Sequence, residues 1–300
     1  MGTPEFAVPS LELLVDNGWN IVGVITAPDK PKGRGQKLIP SPVKEAALKL
    51  NLNVLQPTNL KSEEFQNELR ALKADLQIVV AFRMLPESVW NMPPLGTFNL
   101  HASLLPNYRG AAPINWAIIN GDKETGVTTF FLKHEIDTGS IIYQEKVSIM
   151  EEDDLGTVYE KLMKVGSTLV LKTVEDIADD KVKALPQDES KAIHHAPKIF
   201  KETGEINWEN PAESIHNLVR GLSPYPAAWT KFDEKICKIY KTKYSKDHNT
   251  GKTIGALQTD NKTFLKVQTG DGVLEILELQ LEGKKRMKVD DLLRGYKFGS

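Results

Sequence analysis

The sequence predicts an α/β protein in two parts, a doubly wound, mostly parallel sheet followed by a small antiparallel β-barrel. Two continuous apolar runs, residues 21–26 and 76–81, are typical of strands buried on both faces of a parallel sheet. Helical patterns alternate with these strands along the first part. Beyond residue 230 the pattern changes to period-two alternation, as in KICKIYKTK and VLEILELQL, with Gly-containing turns between the runs.

The helices of the first part have recognisable start signals. Ser41 and Pro42 supply an N-cap and a proline at the first helical position, and Ser62 is a second N-cap. These signals and the apolar periodicity predict helices over residues 10–15, 42–50, 62–72, 114–120, 155–177 and 211–222. Further strands are predicted at 54–55, 97–101, 127–132 and 141–147.

A basic loop interrupts this alternation early in the chain. Between residues 27 and 40 it carries Lys30, Lys32, Arg34 and Lys37 against Asp29 alone, together with several Gly and Pro residues. We expect this loop to be mobile and to suit an anionic partner.

The stretch FNLHASLLPNYRGAAPI, residues 98–114, concentrates the residues that carry chemistry. Alternation along a strand over residues 97–101 puts Asn99 and His101 on one face. An amide donor beside an imidazole can bind an oxygen that becomes negative and can move a proton. A buried, satisfied Asn and His would give the same N-x-H pattern, so the pair alone does not decide between the two interpretations.

Asp137 is the third candidate. It lies in HEIDTGSI, in a Thr-Gly turn just past the predicted strand over residues 127–132. Since strand ends of an open α/β sheet converge on one crevice, we expect Asp137 near Asn99 and His101.

In these motifs the sequence resembles the folate-dependent formyltransferases. Their signature is Asn-x-His, then Ser-Leu-Leu-Pro-x-Tyr/Trp-Arg-Gly, then a distant Asp before Thr-Gly, and each part is present here. The resemblance covers nearly the whole chain, from Gly2-Thr3-Pro4 to the last helix-like stretch. It implies a Rossmann-like sheet with an OB-like barrel domain behind it.

The resemblance implies transfer of a formyl group from 10-formyltetrahydrofolate to the α-amino group of methionine on initiator tRNA. Asn99 and protonated His101 would stabilise the oxyanion, while Asp137 would hold the imidazole and favour its charged form. The folate would lie against Ser103, Leu104, Leu105 and Pro106, and the tRNA against Lys32, Arg34 and Lys37. No metal is implied.

Two details of the motif region stay open at this point. The residues after the strand at 76–81 are Phe82, Arg83 and Met84 instead of the small-residue turn usual in the family, which leaves the side chains of the folate pocket undefined. Arg109 is more readily explained as a structural brace of the crevice than as a functional group.

Composition limits the classes of protein. The chain has 300 residues, of which 40% are hydrophobic, and a single cysteine, Cys237, which excludes an internal disulfide. We find no transmembrane run or export leader and expect a cytoplasmic monomer. The net charge of −2 is uneven, because residues 231–300 carry 15 Lys/Arg against 10 Asp/Glu. A basic C-terminal module for tRNA and a merely solvated lysine-rich surface explain this equally well.

We expect a catalytic domain over residues 1–180, a linker over 181–200 and a tRNA-binding barrel over 201–300. In a doubly wound sheet a central strand should precede the Gly2-Thr3-Pro4 turn, yet Met1 already adjoins this turn. We therefore expect a gap in the sheet between the strands at 21–26 and 76–81.

Two other functions fit the same residues. A formyltransferase acting on an amino-sugar nucleotide or a purine precursor would use the same Asn-His-Asp set, but a small phosphorylated acceptor does not require both a basic loop and a basic barrel. A non-catalytic RNA-binding protein with a decayed enzyme fold is the other, and the intact set of three residues argues against it.

Overall fold

The chain forms two compact units in a computed structural model that describes residues 1–32, 37–246 and 251–298. The first unit comprises residues 1–110, 126–147 and 159–195, and the second comprises residues 111–125, 148–158 and 196–300. Each unit contains an apolar core of its own. None of the helices in the described part of the chain is both long and apolar enough to cross a membrane.

The helices follow the predicted pattern closely. They are α1 Val8–Asp16, α2 Pro42–Lys49, α3 Glu63–Ala71, α4 Glu87–Trp90, α5 Pro113–Ile119, α6 Leu155–Ala178, α7 Ala212–Leu222 and α8 Val289–Leu293. The hydroxyl of Ser41 accepts a hydrogen bond from the Lys44 amide, and that of Ser62 accepts one from the Phe65 amide. The two predicted N-caps are therefore confirmed.

Compared with the sequence pattern, the strands predicted at 21–26 and 76–81 are shorter, those predicted at 127–132 and 141–147 are longer, and several short strands are additional. Those of the first half are β1 Val24–Ile25, β2 Lys30–Lys32, β3 Lys37–Ile39, β4 Val54–Leu55, β5 Gln77–Val80, β6 Thr97–His101, β7 Arg109–Gly110, β8 Glu124–Phe131 and β9 Ile141–Ser148. Those of the second half are β10 His195–Ala196, β11 Ala228–Phe232, β12 Lys235–Ser245, β13 Leu257–Thr259, β14 Leu265–Gln268, β15 Val273–Leu281 and β16 Met287–Lys288.

The sheet structure of the first half of the chain is mixed. Strands β5, β6, β8 and β9 form one four-stranded sheet in that order, in which β5 and β6 are parallel and β6 and β8 are antiparallel. Strands β1 and β4 form a separate parallel pair. The prediction of a mostly parallel sheet is therefore wrong at β8. A strand buried on both faces has the same apolar pattern in either direction, so the sequence did not reveal this.

The expected gap between the strands at 21–26 and 76–81 is present, because β1 and β5 belong to different sheets. Among the described residues, Met1 and Gly2 connect the two strands. The Gly2 amide donates to the Ile25 carbonyl at 3.0 Å, and the Val80 amide donates to the Met1 carbonyl at 2.9 Å. Beside this bridge is a cavity of about 140 Å³.

The basic loop is partly ordered as a ladder. Strands β2 and β3 pair antiparallel, with Lys30 opposite Ile39 and Lys32 opposite Lys37. The sequence analysis did not predict this pairing of the two arms, and the expected mobility of the loop stays a prediction. Arg34 lies outside the described residues.

The second unit contains an antiparallel sheet in the order β11-β12-β15-β14-β13, with β16 beside β15. The pairing of β12 with β15 shifts register near Lys241, and such bulges bend and twist a strand. The sheet is curled like half a barrel. Ile215, Val219 and Leu222 of α7 contribute to the apolar core that this sheet helps to form.

Candidate active site

Strand β6 carries two of the three predicted catalytic residues. It lies between β5 and β8, with Asn99 opposite Val79 on one side and Phe130 on the other. Asn99 and His101 are two residues apart on this strand and therefore share a face. Since β6 is internal to the sheet, its backbone is hydrogen-bonded on both sides and the two side chains start from a rigid support.

His101 is held in one orientation. Its side chain is only 7% exposed, and Nε2 lies 2.8 Å from the backbone carbonyl oxygen of Tyr108. A carbonyl oxygen only accepts hydrogen bonds, so Nε2 carries the proton in this contact. The ring of Phe130 meets the imidazole edge to face, with the ring centroids 6.5 Å apart. Nδ1 is therefore the nitrogen left for chemistry.

Asp137 faces that nitrogen. Its Oδ2 lies 3.9 Å from His101 Nδ1, and the same oxygen accepts a hydrogen bond of 3.0 Å from the Gly110 amide. The expected proximity of His101 and Asp137 is thus confirmed. A separation of 3.9 Å is too long for a direct hydrogen bond but leaves the two groups able to share a proton through an intervening polar atom.

The Asn99 amide has an unused position. Its Oδ1 is buried and has no hydrogen-bond partner in the part of the chain that the structure describes. A buried polar atom without a partner is costly unless a ligand satisfies it. A half turn of the amide would present its NH2 group at the same place, so this position can serve a ligand oxygen with a donor.

The segment of Ser103, Leu104, Leu105 and Pro106 leaves the end of β6 as a tight turn, with a cis peptide bond before Pro106. The Leu104 carbonyl accepts a hydrogen bond from the Asn107 amide. The turn leads to Tyr108, whose carbonyl binds His101. The predicted folate segment and the imidazole are therefore connected through one short loop.

Two side chains that the sequence analysis missed fix this turn from within. Thr128 Oγ1 donates to the Ser103 carbonyl at 2.6 Å and accepts from the Leu105 amide at 3.1 Å. Gln144 Nε2 donates to the Leu105 carbonyl at 2.8 Å and to Thr128 Oγ1 at 2.9 Å. The only sequence signal for Thr128 is a polar residue within an apolar strand.

Arg109 forms a brace, as its motif position indicated. Its guanidinium makes a bidentate ion pair with Glu189, with N–O distances of 2.7 and 2.8 Å, and also donates to the side chain of Gln187. The hydrogen bonds to Glu189 raise the pKa of Arg109, and Arg109 holds the pKa of the Glu189 carboxyl below its usual value. Glu189 itself is exposed, so we expect a small contribution to stability.

The segment after β5 is held by Arg83. Its guanidinium donates to the backbone carbonyls of Pro57 and Thr58. Arg83 thus stands where the family usually has a small-residue turn, and its guanidinium is bound by backbone carbonyls.

Two of the three predicted tRNA contacts fall in the described part of the chain. Lys32 and Lys37 lie on paired positions of β2 and β3, and Arg34 is among residues 33–36, outside the described part of the chain. Within residues 1–32, 37–246 and 251–298, no group of three or more His, Cys, Asp or Glu side chains could hold a metal ion.

An amide and an imidazole on one strand, with a carboxylate facing the imidazole, are groups that can bind an oxyanion and move a proton. The sequence pattern of the formyl transferase family matches residues 1–174, and that of the formyl transferase C-terminal domain matches residues 198–297. The chain belongs to the formyl transferase family.

Close relatives carry a more specific name. The chain is 56% identical over 305 residues to the methionyl-tRNA formyltransferase of Bacteroides fragilis, covering 99% of this chain and 94% of the relative. It is 58% identical over 308 residues to the protein of that name from Parabacteroides distasonis, with the same coverage.

A solved structure shares the fold. The N-formyltransferase from Helicobacter canadensis in complex with folinic acid and dTDP-3-aminofucose superposes with a TM-score of 0.70. The match covers 95% of this chain and 97% of that one at 21% sequence identity, so it speaks for the fold alone.

Proposed function

We propose that this chain transfers a formyl group from 10-formyltetrahydrofolate to the α-amino group of the methionine carried by initiator tRNA. The observation that carries the proposal is identity above 50% over nearly the whole length to proteins named methionyl-tRNA formyltransferase. The arrangement of Asn99, His101 and Asp137 supports it, because formyl transfer passes through a tetrahedral intermediate with a negative oxygen.

In the first step the amine nitrogen bonds to the formyl carbon, and the formyl oxygen becomes an oxyanion. The NH2 group of Asn99 donates to this oxygen from the buried position where the amide has no partner among the described residues. Protonated His101 adds a second donor through Nδ1, since Nε2 is held by Tyr108. A preorganised donor of this kind contributes roughly 10²–10³ in rate.

In the second step the bond between the carbon and the folate nitrogen N10 breaks. The amine must lose one proton, and N10 must gain one. Protonated His101 gives its Nδ1 proton to N10 as this bond breaks, and the neutral ring then takes up the proton that the amine loses, with the Asp137 carboxylate 3.9 Å away. Positioned acid–base help of this kind contributes roughly 10²–10⁴ in rate.

The remaining assignments follow the same proposal. Residues 1–180 act as the catalytic domain, residues 181–200 as the linker and residues 201–300 as an OB-like tRNA-binding domain. The folate lies against Ser103, Leu104, Leu105 and Pro106, while Lys32, Arg34 and Lys37 bind tRNA phosphates. The protein works in the cytoplasm as a monomer.

One assay tests the proposal and its rivals. Formyl transfer from 10-formyltetrahydrofolate is measured with charged initiator tRNA, charged elongator Met-tRNA, an amino-sugar nucleotide and a purine-precursor amine as acceptors. We expect the highest kcat/KM with charged initiator tRNA. A higher kcat/KM with the amino sugar or the purine precursor would overturn the proposed acceptor, and no transfer to any of them would leave an RNA-binding protein without this chemistry.

A further inference from the structure

The segment of residues 187–195 packs on the loop that orients His101. Asn107 Oδ1 accepts hydrogen bonds from the amides of Ile193 and His194 at 2.9 and 3.1 Å. The Tyr108 amide donates to the His194 carbonyl at 2.7 Å, and the two rings stack with centroids 5.3 Å apart. These residues lie in the range predicted as a linker. In the structure they belong to the first unit and contact Asn107 and Tyr108 of the candidate active site.

Gln187 begins this segment, and both ends of its side-chain amide are bonded. Oε1 accepts hydrogen bonds from Nε and Nη2 of Arg109. Nε2 donates to the backbone carbonyls of Asp137 and Gly139 at 2.8 and 2.9 Å. The amide therefore ties Arg109 to the backbone of the loop that carries Asp137.

This connection closes a ring of contacts around the catalytic carboxylate. Arg109 is followed in the chain by Gly110, whose amide donates to Asp137 Oδ2. Gln187 thus hydrogen-bonds to Arg109, the residue before the Gly110 donor, and also to the backbone of Asp137, whose carboxylate is the acceptor. Gln187 therefore restrains the position of Gly110 relative to the carboxylate, together with the ion pair of Arg109 with Glu189.

The loop itself has little freedom to compensate. Asp137 has a φ of 55°, in the left-handed region that residues other than glycine adopt infrequently. A Cβ on Gly139 would overlap the Phe131 carbonyl oxygen, so the next turn of the loop is fixed against β8. A strained backbone of this kind persists only where its surroundings hold it.

We infer that Gln187 is a positioning residue for the formyl transfer proposed above, which acts through Asp137 by fixing the carboxylate toward His101 Nδ1. The inference rests on the proposed function. It assigns to Gln187 no contact with either substrate, and it predicts a loss in turnover rather than in substrate binding.

Two substitutions test the role. Gln187→Ala removes both sets of hydrogen bonds, and Gln187→Glu keeps an acceptor for Arg109 but places an oxygen against two carbonyls. We expect kcat to fall by roughly 10- to 100-fold in both variants, as for a misplacement of about 1 Å. KM for the folate and for the tRNA should stay within about threefold. Unchanged kcat in both variants would overturn the inference.

The matched control is Gln66→Ala. Gln66 is a glutamine of the same unit whose amide makes an exposed hydrogen bond to Ser88. We expect its kcat to equal that of the wild type, and melting temperatures of all variants exclude unfolding as the cause of a loss. If Gln66→Ala loses as much activity as Gln187→Ala, the effect is not specific and the inference fails.

A double substitution shows whether Gln187 acts through Asp137. In the Asp137→Asn background, Gln187→Ala should lower the single-turnover rate by less than about twofold, because the group that it positions is already altered. A further loss equal to that in the wild-type background would overturn the inference while leaving the proposed function standing. If the wild type transfers no formyl group, the proposed function fails instead.

Amide hydrogen exchange supplies a readout that is independent of activity. In Gln187→Ala the Gly110 amide should exchange about tenfold faster or more, because its bond to Asp137 is loosened, while amides of β5 keep their rates. Unchanged exchange at Gly110 would contradict the proposed link between Gln187 and the carboxylate.

Discussion

His101 Nε2 is hydrogen-bonded to the carbonyl oxygen of Tyr108, seven residues further along the chain, at 2.8 Å. The contact fixes both the tautomer and the direction of the imidazole. It leaves Nδ1 facing Asp137 across 3.9 Å. The loop of residues 102–108 therefore orients the imidazole of His101 and also contains the segment proposed to contact the folate.

The first prediction concerns this tautomer. With the ring neutral, ¹⁵N NMR of His101 should show a protonated Nε2 and an unprotonated Nδ1, because Nε2 is within hydrogen-bond distance of an obligate acceptor whereas Nδ1 is 3.9 Å from Asp137. The opposite assignment would contradict the orientation that the Tyr108 carbonyl gives to the imidazole.

The second prediction concerns the basic loop. Replacing Arg34 by Ala should weaken binding of charged tRNA and flatten the dependence of log K on log salt by about one unit for each lost phosphate contact. KM for the folate should not change. Lys61→Ala, at a residue of the first unit outside the loop, serves as control. An unchanged salt slope for Arg34→Ala would reduce the loop to a solvated surface.

The third prediction concerns acid stability. Burial, with the charges of Arg220 and Lys123, lowers the pKa of His216 to about 4 from 6.5, against an opposing effect of Glu213. Below pH 6.5 the unfolded chain binds a proton that the folded chain does not. The free energy of unfolding should therefore fall by roughly 3 kcal/mol between about pH 6.5 and 4, with no loss from this group above that range.

His216→Gln checks this assignment. The glutamine can still hydrogen-bond to Thr242, the partner of His216 Nδ1 at 2.8 Å, but it does not titrate. Denaturant unfolding curves at several pH values should show a smaller slope for the variant between pH 6.5 and 4. Parallel slopes for the two proteins would assign the acid sensitivity to other groups.

The fourth prediction concerns the cavity between β1 and β5. It is lined largely by apolar residues, among them Leu14, Val24, Leu72, Ile78 and Val80. An extension of about eight residues joined to Met1, with an apolar strand pattern, should pair with both strands and place apolar side chains in this cavity. About six ladder hydrogen bonds at ~1 kcal/mol each, plus buried side chains, should raise the melting temperature by about 10 °C or more.

The control for the extension is a Gly/Ser segment of equal length. Differential scanning calorimetry should show a rise in melting temperature with the apolar segment only. Equal melting temperatures for the two extended chains would show that the cavity does not accept a strand.

Local signals predicted much of this fold. The N-caps at Ser41 and Ser62 depend only on residues within three positions, so the sequence predicted them. The five residues of β6 were likewise predicted from local alternation. The direction of β8 and the openness of the curled sheet depend on pairing between distant segments, which an apolar pattern does not encode. The prediction of a small antiparallel barrel therefore did not specify how far the sheet closes.

The candidate site was predictable to a similar depth. Asn99, His101 and Asp137 stand out by residue type and motif. The contacts of the Tyr108 carbonyl and the Gly110 amide could not be predicted, because every residue has these backbone groups and the sequence does not show which of them bind a side chain. Gln187 is 50 residues from Asp137 in the chain, and nothing in its local pattern indicates that its side chain reaches the loop of the carboxylate.

The most direct test of the central claim is the single-turnover rate of formyl transfer to charged initiator tRNA. It is compared for the wild type, Asn99→Ala, His101→Ala, Asp137→Ala and the double variant Asn99→Ala with His101→Ala. We predict losses of roughly 10²–10⁴ in each single variant with tRNA affinity nearly unchanged, and a double variant only slightly slower than the worse single one. A double variant whose loss equals the product of the two single losses would contradict the claim that these residues act as one unit.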